Sequence, residues 1–494
     1  MTQPAQPAQP AQPAQPAQQP AQPGTQPAQP AQQPAQSGPQ PLLQLDALGP
    51  GEPFRARRRT EVTEVTGAPF AELSLVPKLF VTRAMRALHA AESLPAEERF
   101  AALARAGRIF TSETIDGLDF PSYERAVARV SGVPITVVRD ATRAIADSAE
   151  KAGWSAYRAR PAGAVSDWRD GATLDGSAVW TRRGEVFAVH AAGNHPGPHG
   201  LWLEALALGY RVAVRPSRRE PLTPHRLVNA LRLAGFAADQ VMLLPTDHEA
   251  ADEILAGADL GMVYGGDEVV RKYAGSTVLP QGPGRSKILV TRDTDWREHL
   301  DTIVDSIAHQ GGVACINATA VLVEGDPAPL ARAIAERLAG IPSLPPEDEK
   351  AVLSVQPVAE ARAIESYLLR RAAGTRAWLG GDGVVAELGD GSAVLRPAVH
   401  QLDRPDAEQT GVELAFPCVW VAPWTPEAGV APLRNSLVLT ALTGDDALFD
   451  RLLREPSISN VYRGDHPTYW IRPGVPHDGY LGEFLMRTKT VIRG

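Results

Sequence analysis

The sequence predicts an α/β protein of two domains, each built on a largely parallel sheet with helices packed against it. Three observations carry that reading. From Val186 to Val290, short apolar strands alternate with helical segments at a regular period. A second alternating block opens with a helix at 297–309 and runs to about 455. The length, 494 residues, fits roughly two to four domains, each able to bury its own core.

The elements follow in order. Residues 1–41 are nearly all Pro, Ala and Gln in Pro-Ala-Gln repeats. Such a tract has almost no apolar surface to bury and lacks a backbone donor at every Pro, which predicts a solvated, extended tail. Residues 42–66 read as an irregular lead-in. Leu, Phe, Ile and Ala at three- and four-residue spacing then predict helices at 79–93, 97–112, 121–131 and 138–151, with Pro134 between the last two. Around Asp170-Gly171 and Asp175-Gly176 the pattern turns to short alternating stretches, predicting a β-hairpin over 165–183. In the first block, strands are predicted at 186–190, 211–214, 241–244, 261–264 and 287–290. Helices are predicted near 199–208, 223–234, 248–256 and 266–274. The second block continues with a strand at 319–323, and 478–493 ends in a strand-like tail.

Composition excludes several classes. The formal net charge of −8 gives no electrostatic reason for nucleic acid or an anionic membrane as partner. The start, MTQPAQPAQP, has neither a basic nor an apolar region, so no secretory signal is expected. No apolar run approaches the ~20 residues that span a bilayer. Two cysteines, Cys315 and Cys418, are too few for a disulfide framework. A soluble, cytoplasmic protein is the expectation.

The phosphate-binding patterns GxGxxG and GxxxxGK[ST] are absent, and the eleven histidines do not cluster at metal-ligand spacing. Four other segments are informative. AAGNHPGPHGLW (191–202) follows a strand. Gly193, Gly197 and Gly200 would let backbone approach a ligand, and Asn194 offers an amide either to a developing oxyanion or to cap the next helix. VAVRPSRREPLTPHRL (212–227) places guanidinium groups at a strand end, either for phosphate or simply in solvent. VYGGDEVV (263–270) runs from strand to helix through two glycines, a form that accepts pyrophosphate and that is also widespread in βα loops. HQGGVACINATAVLV (309–323) sets Cys315 after a Gly-Gly pair, where a thiol can enter a cleft between the blocks. Alone, Cys315 reads first as a small core residue, which is the reading given to Cys418 in FPCVWV.

Taken in order, these four segments resemble the aldehyde dehydrogenase superfamily over residues 76–494. The resemblance implies a Rossmann-like NAD(P)-binding domain over 42–294 and a catalytic domain over 295–455. Residues 456–494 would return to the cofactor domain and supply an oligomerisation strand. The hairpin 165–183 with 484–494 would form an oligomerisation arm, implying a homodimer or homotetramer. It also implies roles: Cys315 as nucleophile, Asn194 in the oxyanion hole, Gly265 and Gly266 at the pyrophosphate. Arg215 and Ser217 fall in the family's Pro-Ser motif at the adenosine ribose. Glu413, in VELAFP, matches the glutamate at the nicotinamide ribose, with the Phe416 spacing one residue off.

One departure points to a branch. In PQGPGRSKILV (280–290), Gln281 stands where hydrolytic members carry the glutamate that activates water. A neutral amide cannot accept that proton, so a Cys315 thioester should lose a typical ~10²–10⁴-fold of base assistance to hydrolysis. His309 or Glu204 relaying a water is the way around this. The Gly-Pro-Gly in this loop is similar to the acylating branch. HAAGNHPGPHGLW, RPSRREPLT and YGGDEVVRK are similar to acyl-CoA reductases of the fatty-acid reductase (LuxC-like) type. The expected reaction interconverts an acyl thioester, carried by CoA or a carrier protein, and an aldehyde. Hydrolytic aldehyde oxidation and a non-catalytic interaction protein remain as alternatives. Arg218, followed by Arg219, replaces the glutamate of NAD-using members. A guanidinium pairs with a 2′-phosphate, so NADP(H) is expected over NAD(H).

Overall fold

The structure, a computed structural model, describes residues 42–494. The Pro-Ala-Gln tract, expected to be a solvated tail, lies outside the described residues. Two main sheets organise the rest. The first has five parallel strands, in the order Val241–Leu243, Arg211–Arg215, Val186–His190, Leu260–Tyr264, Val278–Gln281. The second has seven, in the order Arg376–Leu379, Ala398–Gln401, Cys418–Trp424, Ala318–Glu324, Ser286–Val290, Ser436–Leu442, Ile458–Arg463. Only its first strand is antiparallel to its neighbour.

The central strands read as continuous apolar runs because both faces are covered. Val186, Phe187, Ala188 and Val189 have no exposed surface, and Ile288 and Leu289 match them in the second sheet. Four helices, Lys78–Ala90, Ala96–Ser112, Phe120–Ser131 and Ile135–Tyr157, lie where the periodicity placed them. Their ends follow from local chemistry. Asp119 caps the third helix by accepting from Ser122 N at 2.8 Å, Pro121 sits in its first turn, and Gly132 closes it at φ 74°. Pro134 then starts the fourth helix directly.

In the first sheet the connections lead outward in opposite directions from Val186–His190. The carboxyl ends of this strand and its two neighbours therefore open a crevice at the switch point. The loops bearing Asn194, Arg215–Arg219 and Gly265-Gly266 all leave from that edge.

Five expectations are corrected. The strand predicted at 287–290 belongs to the middle of the second sheet, between Ala318–Glu324 and Ser436–Leu442, because its run of five buried residues needs a neighbour on each side. The first sheet ends instead at Gln281, so the boundary expected at 294 falls between Gln281 and Ser286. Strand Ile458–Arg463 pairs with Ser436–Leu442, so 456–463 stays in the second sheet rather than returning to the first. The 165–183 hairpin does not form. Val165 makes only a parallel bridge to Val179, and Ser177–Arg182 pairs antiparallel with Met486–Val491. Nor is 42–66 irregular. Leu43–Leu45 and Arg59–Thr63 flank Pro69–Ser74 in a small sheet, and Leu48 exchanges two backbone bonds with Leu243 at the edge of the first sheet. Three- and five-residue strands are too short to show a period.

Arg226, in the helix Leu222–Leu233, ties the helical layer to the first sheet. Its buried guanidinium donates to the carbonyls of Phe110, Glu113 and Leu118 and lies against the ring of Tyr123. Arg226→Met leaves three carbonyls without that donor. It should lower the unfolding free energy by about 1–3 kcal/mol in denaturant titration, with an unchanged slope.

Candidate active site

Cys315 lies half-buried in the loop between the helix Leu300–Ala308 and the strand Ala318–Glu324. Three successive left-handed residues, Gln310, Gly311 and Gly312, turn the chain into this loop. Buried Asn317 holds it. Its Oδ1 accepts from Ala314 N at 3.0 Å, and its Nδ2 donates to the carbonyls of Ser306 and His309 at 3.2 and 2.9 Å. Nothing in the sequence marked Asn317 beyond its nearness to the cysteine.

The segment between the two sheets covers the other side of Cys315. A Cβ on Gly284 would lie 1.8 Å from the Cys315 carbonyl oxygen and 2.9 Å from its Cβ, so only glycine allows the two chains to touch. Ser286 Oγ donates to the same carbonyl at 3.0 Å. Arg285, at φ 48°, turns its amide toward Glu413, whose Oε2 accepts from Arg285 N at 2.7 Å; the Gly284 amide lies close enough to favour the charged form of this carboxylate. The Arg285 side chain reaches Gly411 O at 2.8 Å and forms a two-pronged ion pair with Asp267 at 2.8 and 2.6 Å.

Asn194 stands on the facing loop. One of its amide hydrogens bonds the Val313 carbonyl of the cysteine loop at 3.0 Å, and the second makes no bond within the protein. It does not cap the following helix. Gly193 serves packing rather than a ligand: its missing Cβ makes room for Ser217 Oγ, and so it locks the Asn194 loop to the arginine loop. His195 and His199, in the same loop, are buried and pushed down to about 4 and about 3, chiefly by desolvation. Both are therefore uncharged at neutral pH, and each ring leaves Nε2 without a partner.

Burial pushes the Cys315 thiol up to about 12, with the Glu413 charge as the next cause and Asp478 a smaller one. Burial likewise raises the Glu413 carboxyl, against the pull of the Arg285 and Gly284 amides. Tyr264, the last residue of its strand and paired in register with Gln281, has a buried hydroxyl without a partner. Desolvation raises it above the ordinary tyrosine range, with Cys315 and Asp478 as the charges it feels. Sequence reasoning missed Tyr264 and Asp478, since only the fold brings their segments to the thiol.

The structure thus brings Cys315, Asn194 and Glu413 together, with Gln281 at the strand end beside Tyr264. Gln281 acts on the site through its backbone, its carbonyl accepting from Gly265 N at 3.1 Å. Neither proposed water relay is free: Glu204 accepts from Ser155 at 2.5 Å, and His309 stacks on Tyr469 with centroids 3.7 Å apart. Cys418 is buried in a strand, as read.

Arg215, Ser217, Arg218, Gly265 and Gly266 form a separate group along the crevice. Arg215 is held by Thr246, Nε to Oγ1 at 2.9 Å, and Ser217 Oγ accepts from Arg219 N at 3.2 Å. Arg218 is exposed, and its charge acts on Arg215. No atom lies within 4 Å of the place of a Cβ on Gly266, so the backbone there is open to a ligand. Asp267 would oppose an anion at this helix start, but its charge is matched by Arg285. These residues fit a dinucleotide. Among the described residues, no group of three or more His, Cys, Asp or Glu could hold a metal ion, and no helix is long and apolar enough to cross a membrane.

The aldehyde dehydrogenase family model matches residues 194–477, from Asn194 to the loop beside Asp478. The chain belongs to the aldehyde dehydrogenase family. It is similar to an aldehyde-dehydrogenase-like protein of Sinorhizobium fredii, 26% identical over 128 residues, 25% of each chain. It is also similar to malonate-semialdehyde dehydrogenase 2 of Geobacillus thermodenitrificans, 26% identical over 142 residues, 27% of this chain and 29% of that one. The chain thus spans only about a quarter of the length of the sequence relatives it matches. In structure it resembles an indole-3-acetaldehyde dehydrogenase complexed with NAD+, with a TM-score of 0.77 over 91% of this chain and 96% of that one, at 18% identity. That likeness shows a shared fold: a Rossmann-like sheet and an α/β catalytic half.

Gly284→Ala should drive the 281–286 segment off the cysteine loop. We expect a loss of about 1–3 kcal/mol in stability and a changed rate of Cys315 alkylation, read by thermal melts and peptide mass spectrometry.

Proposed function

We propose that this protein is an NAD(P)-dependent oxidoreductase that interconverts an acyl thioester and an aldehyde through an acyl group on Cys315. The observation that carries this reading is Gln281. The strand end facing Tyr264 holds a neutral amide where hydrolytic aldehyde dehydrogenases have a base. In the reducing direction, Cys315 Sγ attacks the thioester carbonyl while the free amide hydrogen of Asn194 steadies the oxygen as it gains charge. The C–S bond to the carrier thiol breaks, leaving acyl-Cys315. When bound, a reduced nicotinamide supplies the hydride that converts this ester to an aldehyde and frees the thiol. Arg215, Ser217, Arg218, Gly265 and Gly266 hold the cofactor, and the pair of guanidiniums at Arg215 and Arg218 supports NADP(H).

Two free cysteines suit a reducing compartment, which supports a cytoplasmic place. The ribbon of Ser177–Arg182 and Met486–Val491 suits pairing with a second copy in a homodimer or homotetramer. A hydrolytic reading finds some support in the carboxylates of Glu413 and Asp478 near the thiol.

Incubation with acyl-CoAs of several chain lengths should add one acyl mass to Cys315, seen in the intact protein and absent in Cys315→Ser. Acid formed from aldehyde and NADP+ at full rate without any thiol would reject the acylating reading. On the cofactor side, kcat/KM should favour NADPH over NADH, and Arg218→Glu should reverse the order. A clear NADH preference in the unmodified enzyme sinks the NADP(H) assignment.

A further inference from the structure

We propose that Glu413 is the proton acceptor for Cys315, taking the thiol proton as the sulfur attacks. This assignment rests on Cys315 being the nucleophile. A thiol raised this far by desolvation is protonated at neutral pH, and it is the thiolate that attacks, so the proton must have somewhere to go. The titratable groups whose charge is felt at the sulfur are Tyr264, Asp478 and Glu413, the neutral Gln281 lies at the strand end beside Tyr264, and only Glu413 can serve. Tyr264, at the end of the first sheet, is a desolvated phenol and offers a proton rather than a place for one. Gln281 has no basic atom. Asp478 is exposed on the 472–480 loop and is a weaker charge at the thiol than Glu413.

Glu413 is different in placement. Its carboxylate is bonded by the amide of Arg285 and lies near that of Gly284, and Gly284 is the residue whose backbone abuts the Cys315 Cβ. Consecutive amides turned by a left-handed residue make a small anion-holding cradle. Here that cradle fixes a carboxylate beside a nucleophile. Arg285 might be thought to quench it, but its guanidinium is turned away onto Asp267 and Gly411 O. Desolvation raises the Glu413 carboxyl, which suits a group that must hold a proton and release it.

The step balances without a further reagent. The S–H proton passes to a Glu413 oxygen, directly or through a bridging water, as the new S–C bond forms. When the C–S bond of the incoming thioester breaks, the departing thiolate takes that proton back. Glu413 thus ends acylation as a carboxylate; the Cys315 thiolate released after reduction takes one proton from solvent before the next turnover, and a role against the cofactor ribose would use the same side chain at another stage.

Iodoacetamide modification of the full chain at neutral pH tests this, with Cys315 followed by peptide mass spectrometry in the wild type, Glu413→Gln, Glu413→Asp and Asp478→Asn. The two roles open to Glu413 give opposite signs. As proton acceptor its loss slows modification on the order of 10²-fold in Glu413→Gln, with Glu413→Asp in between and Asp478→Asn unchanged or faster. As a bare negative charge it only holds the thiol protonated, so its removal would speed modification. A Glu413→Gln rate equal to or above wild type therefore overturns the proposal. Protection of buried Cys418 in every variant confirms that the fold is intact. If Cys315 in the wild type takes neither iodoacetamide nor an acyl group, it is the nucleophile reading that falls.

Discussion

The site depends on the close passage of one chain segment over another, Gln281–Ser286 across the back of Cys315. This segment joins the two sheets, and it is where the last strand of the first hands over to a central strand of the second. A side chain at Gly284 would collide with the Cys315 carbonyl. Because the passage is that tight, the two halves share a wall rather than merely facing each other. Arg285 spreads the constraint. Its amide holds Glu413, its side chain ties Gly411, and its ion pair reaches Asp267 at the start of the crevice helix. One residue in a left-handed conformation thus sets the catalytic loop, the Glu413 loop and the cofactor loop in register. Such a conformation in an arginine costs of order 1–3 kcal/mol and persists only where its surroundings hold it.

Much of this was legible in the residues. Strands buried on both faces announce themselves by composition, so Val186–His190 and Arg211–Arg215 could be bounded to within a residue. Long amphipathic helices were equally clear. What could not be read was partnership. The run at Ser286–Val290 looks the same whether it closes one sheet or centres another, since burial is a property of the strand and pairing is a property of the fold. The Asp-Gly turns at 170 and 175 suggested a hairpin by local chemistry, yet strand Ser177–Arg182 takes its partner from the far end of the chain.

The site divides along the same line. Cys315, Asn194 and Glu413 could be singled out because each belongs to a recognisable segment, and the fold brings the three together. Tyr264, Asp478 and Asn317 act through position alone. A tyrosine ending a strand is ordinary until the fold buries its hydroxyl near a thiol without a partner. Electrostatics follow from the same burial. His195, His199 and the Cys315 thiol are all driven to their uncharged forms, so the charges felt at the sulfur are those of Glu413 and the exposed Asp478. A pocket of that kind suits a reaction in which charge appears on oxygen and sulfur only while bonds are changing.

The ribbon between Ser177–Arg182 and Met486–Val491 also bears on how the molecule is made. Its register joins Arg182 to Met486, so the first strand leaves the ribosome long before its partner exists. Until then it offers an unpaired edge, the kind of surface that recruits strands from other nascent chains. The strands of the second sheet, Ser286–Val290 to Ile458–Arg463, are all made before Met486–Val491, so that sheet can form while the edge waits. Assembly is thus timed by the order of synthesis: the catalytic half is complete first, and the closing strand arrives last.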